Sequence, residues 1–234
     1  MSINIIDIGG CVGLYIEESL KKYKEKINHI YCFEPHHANY NFLKEKYKNI
    51  NNVSIFNFAI SNYVGNSKFY KKGNNINEYD KVGNPGSSLN LDKRNVNPRV
   101  FDVVKVNTLS FFLKENNLIN TKFEEVKIDA EGSEYDILEN IINDKLYLNF
   151  EKIFIEDHTR KIPNLYKKRK EFVKRIKSLK IQNKFFIARG VDWVRTNLKF
   201  LDIDTYIEIE KHNNVNINTK VYDLFIKLRN KIYY

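Results

Sequence analysis

Residues 7–13 read Asp7-Ile8-Gly9-Gly10-Cys11-Val12-Gly13. They follow Ile3 to Ile8, a β-branched run that reads as a strand. They lead into a helix from about Val12 to Lys26, with Val12, Tyr15, Ile16, Leu20 and Tyr23 at helical spacing. A glycine-rich turn carries meaning in this setting, between a strand and a helix. Gly9 permits the tight turn, and Gly13 lets the helix pack closely on the sheet. A P-loop would need Gly-Lys-Ser/Thr, which is absent. A dinucleotide turn favours Gly-x-Gly-x-x-Gly, whereas the glycines here stand at 9, 10 and 13.

Outward from this turn, short β-branched runs alternate with helical stretches. That predicts an α/β fold with a mostly parallel central sheet and helices on both faces. Further strands are expected at Ile30 to Phe33, Val53 to Phe58, Val100 to Val106, Glu125 to Ile128 and Lys152 to Glu156. Later ones are expected near Phe185 to Ala188, Trp193 to Phe200 and Thr205 to Ile209. Pro35 is expected to open a helix carrying Tyr40, Phe42, Leu43 and Tyr47. Thr108 can cap a short helix with Leu109, Phe112 and Leu113 inward. Other helices are expected at Ser133 to Asn143, Leu165 to Leu179 and Val221 to Ile232. The stretch from Lys71 to Pro98 is dense in Asn, Gly and Pro and reads as a long functional loop.

The chain has 234 residues, 42% hydrophobic and 29% charged, which suits one domain over residues 1–234 with an extension from 202. No apolar run approaches the roughly 20 residues that span a bilayer. The core strand at Ile3 leaves no room for a signal peptide, so a cytoplasmic protein is expected. Cys11 and Cys32 are too few for a disulfide framework and read as small buried hydrophobes. The net charge of +10 comes from lysines in every segment, which reads as a general bias. The denser cluster Lys161 to Lys180 reads as the exposed face of a helix rather than a phosphate track, so nucleic acid is not the favoured partner.

Two more motifs fall at strand ends. Phe33-Glu34-Pro35 puts a carboxylate about 20 residues past the glycine turn, where it can accept hydrogen bonds from both hydroxyls of a ribose. Lys127-Ile128-Asp129-Ala130-Glu131-Gly132-Ser133-Glu134 gathers three carboxylates at a strand end and the first turn of a helix. Ser133 and Glu134 suit helix capping, which does not require Asp129 and Glu131 as well.

With Phe58-Ala59-Ile60-Ser61 and Ser87-Ser88-Leu89, these motifs resemble the FkbM family of methyltransferases, over residues 3 to 160 and in the expected order. The resemblance implies a class I methyltransferase Rossmann-like fold, S-adenosylmethionine as donor, and O-methylation of sugars or other hydroxyl acceptors. It implies that Asp7, Gly9, Gly10, Cys11 and Gly13 hold the methionine end, that Glu34 holds the ribose, and that Phe58 and Ala59 border the adenine. The family's usual Ala-Asn is here Gly10-Cys11, and its Thr-Leu-Asp is here Thr108-Leu109-Ser110.

A neutral sugar hydroxyl is a poor nucleophile, so its proton must be taken or its pKa lowered. Asp129, Glu131 and His158 are the candidate catalytic residues, and His158 stands in a Glu156-Asp157-His158 run. A Mg²⁺ between Asp129 and Asp157 is the less favoured route. His36 and His37 read as structural or solvent-facing. The loop 71–98, with Tyr70, Tyr79, Asn84 and Gly86-Ser87-Ser88, is the expected acceptor lid. Two competing readings are an RNA ribose 2′-O-methyltransferase and a non-catalytic module that retains the fold. The first would need a lysine near the start of the first strand, and none occurs before Lys21.

Overall fold

The computed structural model describes residues 2–73, 80–189 and 200–213. Strand β1 (Ile3–Ile8) leads through the glycine turn into α1 (Leu14–Tyr23). Then come β2 (Ile27–Phe33), α2 (His37–Lys46), β3 (Val53–Phe56), β4 (Ala59–Ser61), β5 (Gly65–Lys72) and β6 (Val96–Thr108). The second half runs α3 (Leu109–Glu115), β7 (Phe123–Ile128), α4 (Glu134–Asn143), β8 (Phe150–Asp157), α5 (Leu165–Ser178), β9 (Phe185–Arg189), β10 (Leu201–Asp202) and α6 (Ile203–Asn213).

Among the described residues the main sheet is ordered β10-β9-β8-β7-β1-β2-β3. Its strands pair in parallel except for β10, which runs antiparallel to β9. The last four residues of both β1 and β7 are buried, as expected of central strands covered on both faces. Ile5, Ile30 and Cys32 pack with Ile16 and Leu43 on one face. Ile6, Ile8 and Val126 pack with Leu109, Ile137 and Ile141 on the other. The chain winds outward from β1 in one direction and from β7 in the other. The crevice between their carboxyl ends, where such sheets hold ligands, opens at Gly9 and Asp129.

A second sheet, β4-β6-β5, is absent from the sequence reading. Its β5 is Gly65-Asn-Ser-Lys-Phe-Tyr-Lys-Lys, in which only Phe69 and Lys71 are buried, so the hydrophobic alternation is too thin to see. The stretch after it is not a free loop. Tyr70 and Ser88 exchange backbone hydrogen bonds of 2.7 and 2.9 Å, and Ser87, Ser88 and Lys93 are buried. Pro35 does not open α2. The helix begins at His37 with His36 as its cap, whose ring accepts the Asn39 N–H. Thr108 does cap α3, accepting the Phe111 N–H at 3.0 Å.

The run Thr205 to Ile209, read as a strand, lies inside α6. Its two-residue alternation is incidental. Asp202 accepts the Thr205 N–H at 2.9 Å, and Ile203 and Tyr206 turn inward at helical spacing. The strand expected at Trp193 to Phe200, apart from Phe200, lies outside the described residues. So do the terminal helix Val221 to Ile232 and Tyr79. No helix among the described residues is long and apolar enough to cross a membrane.

One buried network fixes α4, α5 and α6 against the end of β8. The Asp157 carboxylate accepts from Arg169 at 2.7 Å, Tyr135 at 2.8 Å, Thr159 at 2.8 Å and Tyr206 at 2.7 Å. Arg169 also forks onto Glu210. Burial favours the protonated acid, but the guanidinium and three hydroxyls outweigh it and hold Asp157 below its ordinary 3.8. Its stabilisation is therefore present above that value and is lost as pH falls through the lower folded value. Arg169→Met leaves this carboxylate buried without its cation and should cost about 3–5 kcal/mol of unfolding free energy at pH 7. Chemical denaturation measures it, and an unchanged midpoint would show that the pair adds nothing.

Candidate active site

The turn after β1 is set by backbone. Gly9 and Gly10 donate to the Phe33 carbonyl at 2.9 and 3.2 Å, and Gly13 donates to Gly10 at 2.7 Å. Gly9 has φ +87°, and a Cβ there would stand 1.9 Å from the Asp129 carbonyl oxygen. Gly13, at φ +83°, admits the Tyr47 hydroxyl 2.5 Å from where a Cβ would be. Only glycine meets both demands.

Glu34 faces this turn from the end of β2. One oxygen accepts the Cys11 N–H at 2.7 Å and the other accepts the His36 N–H at 2.8 Å. Burial outweighs these two bonds and pushes the carboxyl up to about 7. Glu34, Cys11, Phe58 and Ala59 line one narrow cavity of about 80 Å³, roofed by Asn84, Pro85, Gly86 and Ser87. A wider cavity of about 440 Å³ adjoins it, lined by Gly9, Gly10, Cys11, Lys72, Lys127, Asp129, Glu131, Glu156 and Lys161 among others. Asp129 and Glu131 border both cavities.

Asp7, read as a contact to the cofactor, lies beneath the turn. It is fully buried and is not among the described residues lining either cavity. Its partner is Lys127, which the sequence reading did not single out. The Lys127 ammonium donates to the Gly9 carbonyl at 2.8 Å and lies 3.2 Å from Asp7 and 3.4 Å from Asp129. Burial disfavours its charge, but the surrounding carboxylates outweigh that and raise its pKa above the ordinary lysine value. The signal was available: Asp7 and Lys127 are opposite charges in register on neighbouring strands, each flanked by isoleucine or valine. Cys32 is buried beside Asp7, and burial raises both thiols, Cys11 to about 12, so neither is a reactive thiolate.

The other strand-end carboxylates divide sharply. His158 is enclosed, with Nδ1 2.9 Å from Glu134 and Nε2 3.0 Å from Glu131. Burial opposes its charge, yet the two carboxylates outweigh burial and hold it as imidazolium well above the ordinary value. An imidazolium with both nitrogens facing carboxylates cannot take a proton, which removes His158 as the base. Glu131 is committed as well. It sits in the left-handed region at φ +50° and pairs with His158, with Lys93 at 2.8 Å and with Lys161 at 3.7 Å. Against the cost of burial these cations hold it well below the usual range. Glu134 closes the turn by accepting the Ala130 and Gly132 N–H groups.

The carboxyl group that joins Asp129 is Glu156, not Asp157. Strand alternation turns Asp157 to the opposite face and onto Arg169. Glu156 is buried beside Asp129, and burial, then the Asp129 charge, push it up to about 8. Asp129, Glu156 and His158 offer donor atoms within 4.8 Å of one another. They fit a divalent ion poorly, because the imidazole is already held as a cation between Glu131 and Glu134. One Asp129 oxygen, Oδ1, is buried and has no hydrogen-bond partner among the described residues.

The segment after β5 closes over this site. Ser88 donates to the Glu131 carbonyl at 2.6 Å, Lys93 reaches the Gly86 carbonyl and Glu131, and the Gly83 N–H donates to Asn39 at 2.8 Å. On α5, Arg169 is buried while Lys168 and Lys177 pair with Asp136 and Asp204. None of the α5 lysines is among the described residues lining the two cavities.

No curated protein matches the chain. Among solved structures, it is similar to a methyltransferase FkbM from Methylobacillus flagellatus KT, with 15% identity and a TM-score of 0.39. That match covers 61% of this chain, and the chain spans about 30% of the length of that protein. The model of the methyltransferase FkbM domain matches residues 7–179, from the aspartate beneath the glycine turn to the end of α5. The chain belongs to the FkbM methyltransferase domain family.

Proposed function

We propose that this chain is an S-adenosylmethionine-dependent O-methyltransferase whose acceptor is a hydroxyl group of a sugar or glycan. The family implies the donor, and the residues fit it. Gly9, Gly10 and Cys11 line the wider cavity, and close packing against Asp129 and Tyr47 leaves no room for a side chain at Gly9 or Gly13. Glu34 keeps a spare lone pair on each oxygen for a ribose hydroxyl. Phe58 and Ala59 give the same cavity an apolar wall. When bound, S-adenosylmethionine supplies a methyl group on a cationic sulfur, open to in-line displacement by oxygen.

The observation that carries the reading is Asp129 Oδ1, a buried carboxylate oxygen that no N–H or hydroxyl of the described residues reaches, on a residue that borders both cavities and has the Glu156 carboxyl beside it. A buried acceptor left unpaired is costly unless a ligand supplies the missing donor. An acceptor hydroxyl would do so, and Asp129 Oδ1 would then take its proton as the new C–O bond forms. Lys127 holds the other oxygen, so the free one keeps its direction. Glu156 carries a proton at neutral pH. Its loss above about 8 adds a second negative charge beside Asp129, which favours departure of the acceptor's proton.

Glu34→Ala should weaken S-adenosylmethionine binding at least tenfold, about 1.4 kcal/mol. For the unmodified chain, affinity should fall as pH drops through about 7, because the protonated carboxyl has lost half its accepting capacity. Isothermal titration at several pH values reads both, and an unchanged affinity in the variant would remove Glu34 from the ribose.

Asp129→Asn should lower kcat by about 10²–10⁴ while leaving donor affinity nearly unchanged. The kcat of the unmodified chain should rise with pH through about 8, and Glu156→Gln should abolish that rise. Full turnover in Asp129→Asn would move the base elsewhere.

Transfer of labelled methyl to a glycan pool and to a capped RNA pool, each with and without EDTA, tests the acceptor. Label in the glycan pool that survives EDTA is the expected result. Label in the RNA pool alone would overturn the sugar reading, and loss with EDTA would restore the metal.

A further inference from the structure

We infer that the acceptor is acidic: a hydroxyl compound that also carries a phosphate or carboxylate group, held at the mouth of the wider cavity by Lys72 and Lys161. The inference rests on the methyltransferase reading of the same site and narrows its substrate class.

Three lysines line the wider cavity, and three acids line it too. Their pairing is unequal. Lys127 is spent on Asp7, Asp129 and the Gly9 carbonyl. Glu131 is spent on His158 at 3.0 Å and Lys93 at 2.8 Å. Glu156 shares the local negative charge with Asp129 and holds a proton at neutral pH. Among the described residues Lys161 has only Glu131, at 3.7 Å and already shared with two closer cations. Lys72 has no carboxylate partner among the described residues.

These two lysines are also not ordinary surface side chains. Both are partly buried. The Lys72 methylene Cδ lies 3.0 Å from where a Cβ on Gly86 would stand, so its stem is threaded against the segment that roofs the site. Lys72 comes from the end of β5 and Lys161 from the turn after β8, and both line this cavity. The Arg94 backbone N–H donates to the Lys161 carbonyl at 3.3 Å, which ties the turn carrying Lys161 to the segment after β5. A cavity of about 440 Å³ lies within the usual range for small-ligand sites. The acids lie deeper than Lys161: the Glu156 and Asp129 side chains are 8% and 18% exposed, and Lys161 is 28% exposed. That polarity suits a molecule whose hydroxyl end goes in toward Asp129 while an anionic group stays at the mouth.

The experiment is calorimetric titration of the full chain, saturated with S-adenosylhomocysteine, with glucose, glucose 6-phosphate and glucuronate. At least one charged sugar should bind tenfold or more tighter than glucose. Which of the two binds more tightly tells phosphate from carboxylate. The preference should shrink as salt rises from 50 to 500 mM, since exposed charges are screened over roughly 10 Å at 0.1 M. The double variant Lys72→Ala, Lys161→Ala should lose the preference while its affinity for S-adenosylhomocysteine stays within twofold. Equal affinity for all three sugars, no binding of either charged sugar, or a preference that survives the double variant would each overturn the inference. Weakened S-adenosylhomocysteine binding in the double variant would assign the two lysines to the donor and overturn it too. Failure of the unmodified chain to bind S-adenosylhomocysteine would instead sink the methyltransferase reading, and the sugar preference is then read on the chain alone.

Discussion

Lys127 is a cation placed where a parallel sheet normally tolerates none. Its side chain is 4% exposed, on a central strand, with Asp7 and Asp129 within 3.4 Å. A lysine buried without these carboxylates would be driven neutral or would leave the interior. Here the two acids need it as much as it needs them. Its third bond, to the Gly9 carbonyl, holds the glycine turn down on the sheet. One ammonium group therefore positions the turn, fixes an oxygen of Asp129, and makes a fully buried Asp7 tolerable. The cavities, the spare oxygen and the turn geometry all follow from that arrangement.

A second cation, the His158 imidazolium, organises the neighbouring acids in the same way. It draws Glu131 and Glu134 inward and, with Lys93, ties the segment after β5 to the end of β7. The outcome is a division of labour among similar residues. Glu131, Glu134 and Asp157 are compensated and structural. Asp129 and Glu156 remain on the wall of the wider cavity, and Glu34 lines the other. Proximity of acids in the sequence says nothing of this. It is decided by which carboxylate meets which cation.

The parts of the fold read from sequence were those with dense local signals. Ile3 to Ile8 holds four isoleucines in six residues with a glycine turn directly behind it, and Thr108 is followed by apolar residues at helical spacing. Both elements form with the expected bounds. Glu34, the glycine turn, Phe58 and Ala59 come together at one cavity because each follows a strand end, and parallel strands bring their ends to one edge. The second sheet was hidden because β5 buries only alternate residues of a polar, lysine-rich run. Thr205 to Ile209 misled because five residues fit a period of 2 and a period of 3.6 about equally well, and only the Asp202 cap decides. His158 and Asp157 were assigned by position at a strand end. Their actual states depend on Glu134, Arg169 and Tyr206, which lie 24, 12 and 49 residues away and have no local signature.

Gly9 and Asp129 meet through main chain: the Asp129 carbonyl fills the space a Gly9 side chain would take, and the Asp129 N–H donates to the Ile8 carbonyl at 2.9 Å. The glycine turn and the proposed base are thus referenced to each other by peptide groups of two adjacent central strands, whereas the segment proposed to wall the acceptor is peripheral and held by a backbone bridge to Tyr70 and by side chains. Such a layout is modular. On the proposed reading, the segment 80–95 could be rewritten to admit a different acceptor while the spacing between donor and base stays as it is. A lineage built this way can change what it modifies without rebuilding how it does so.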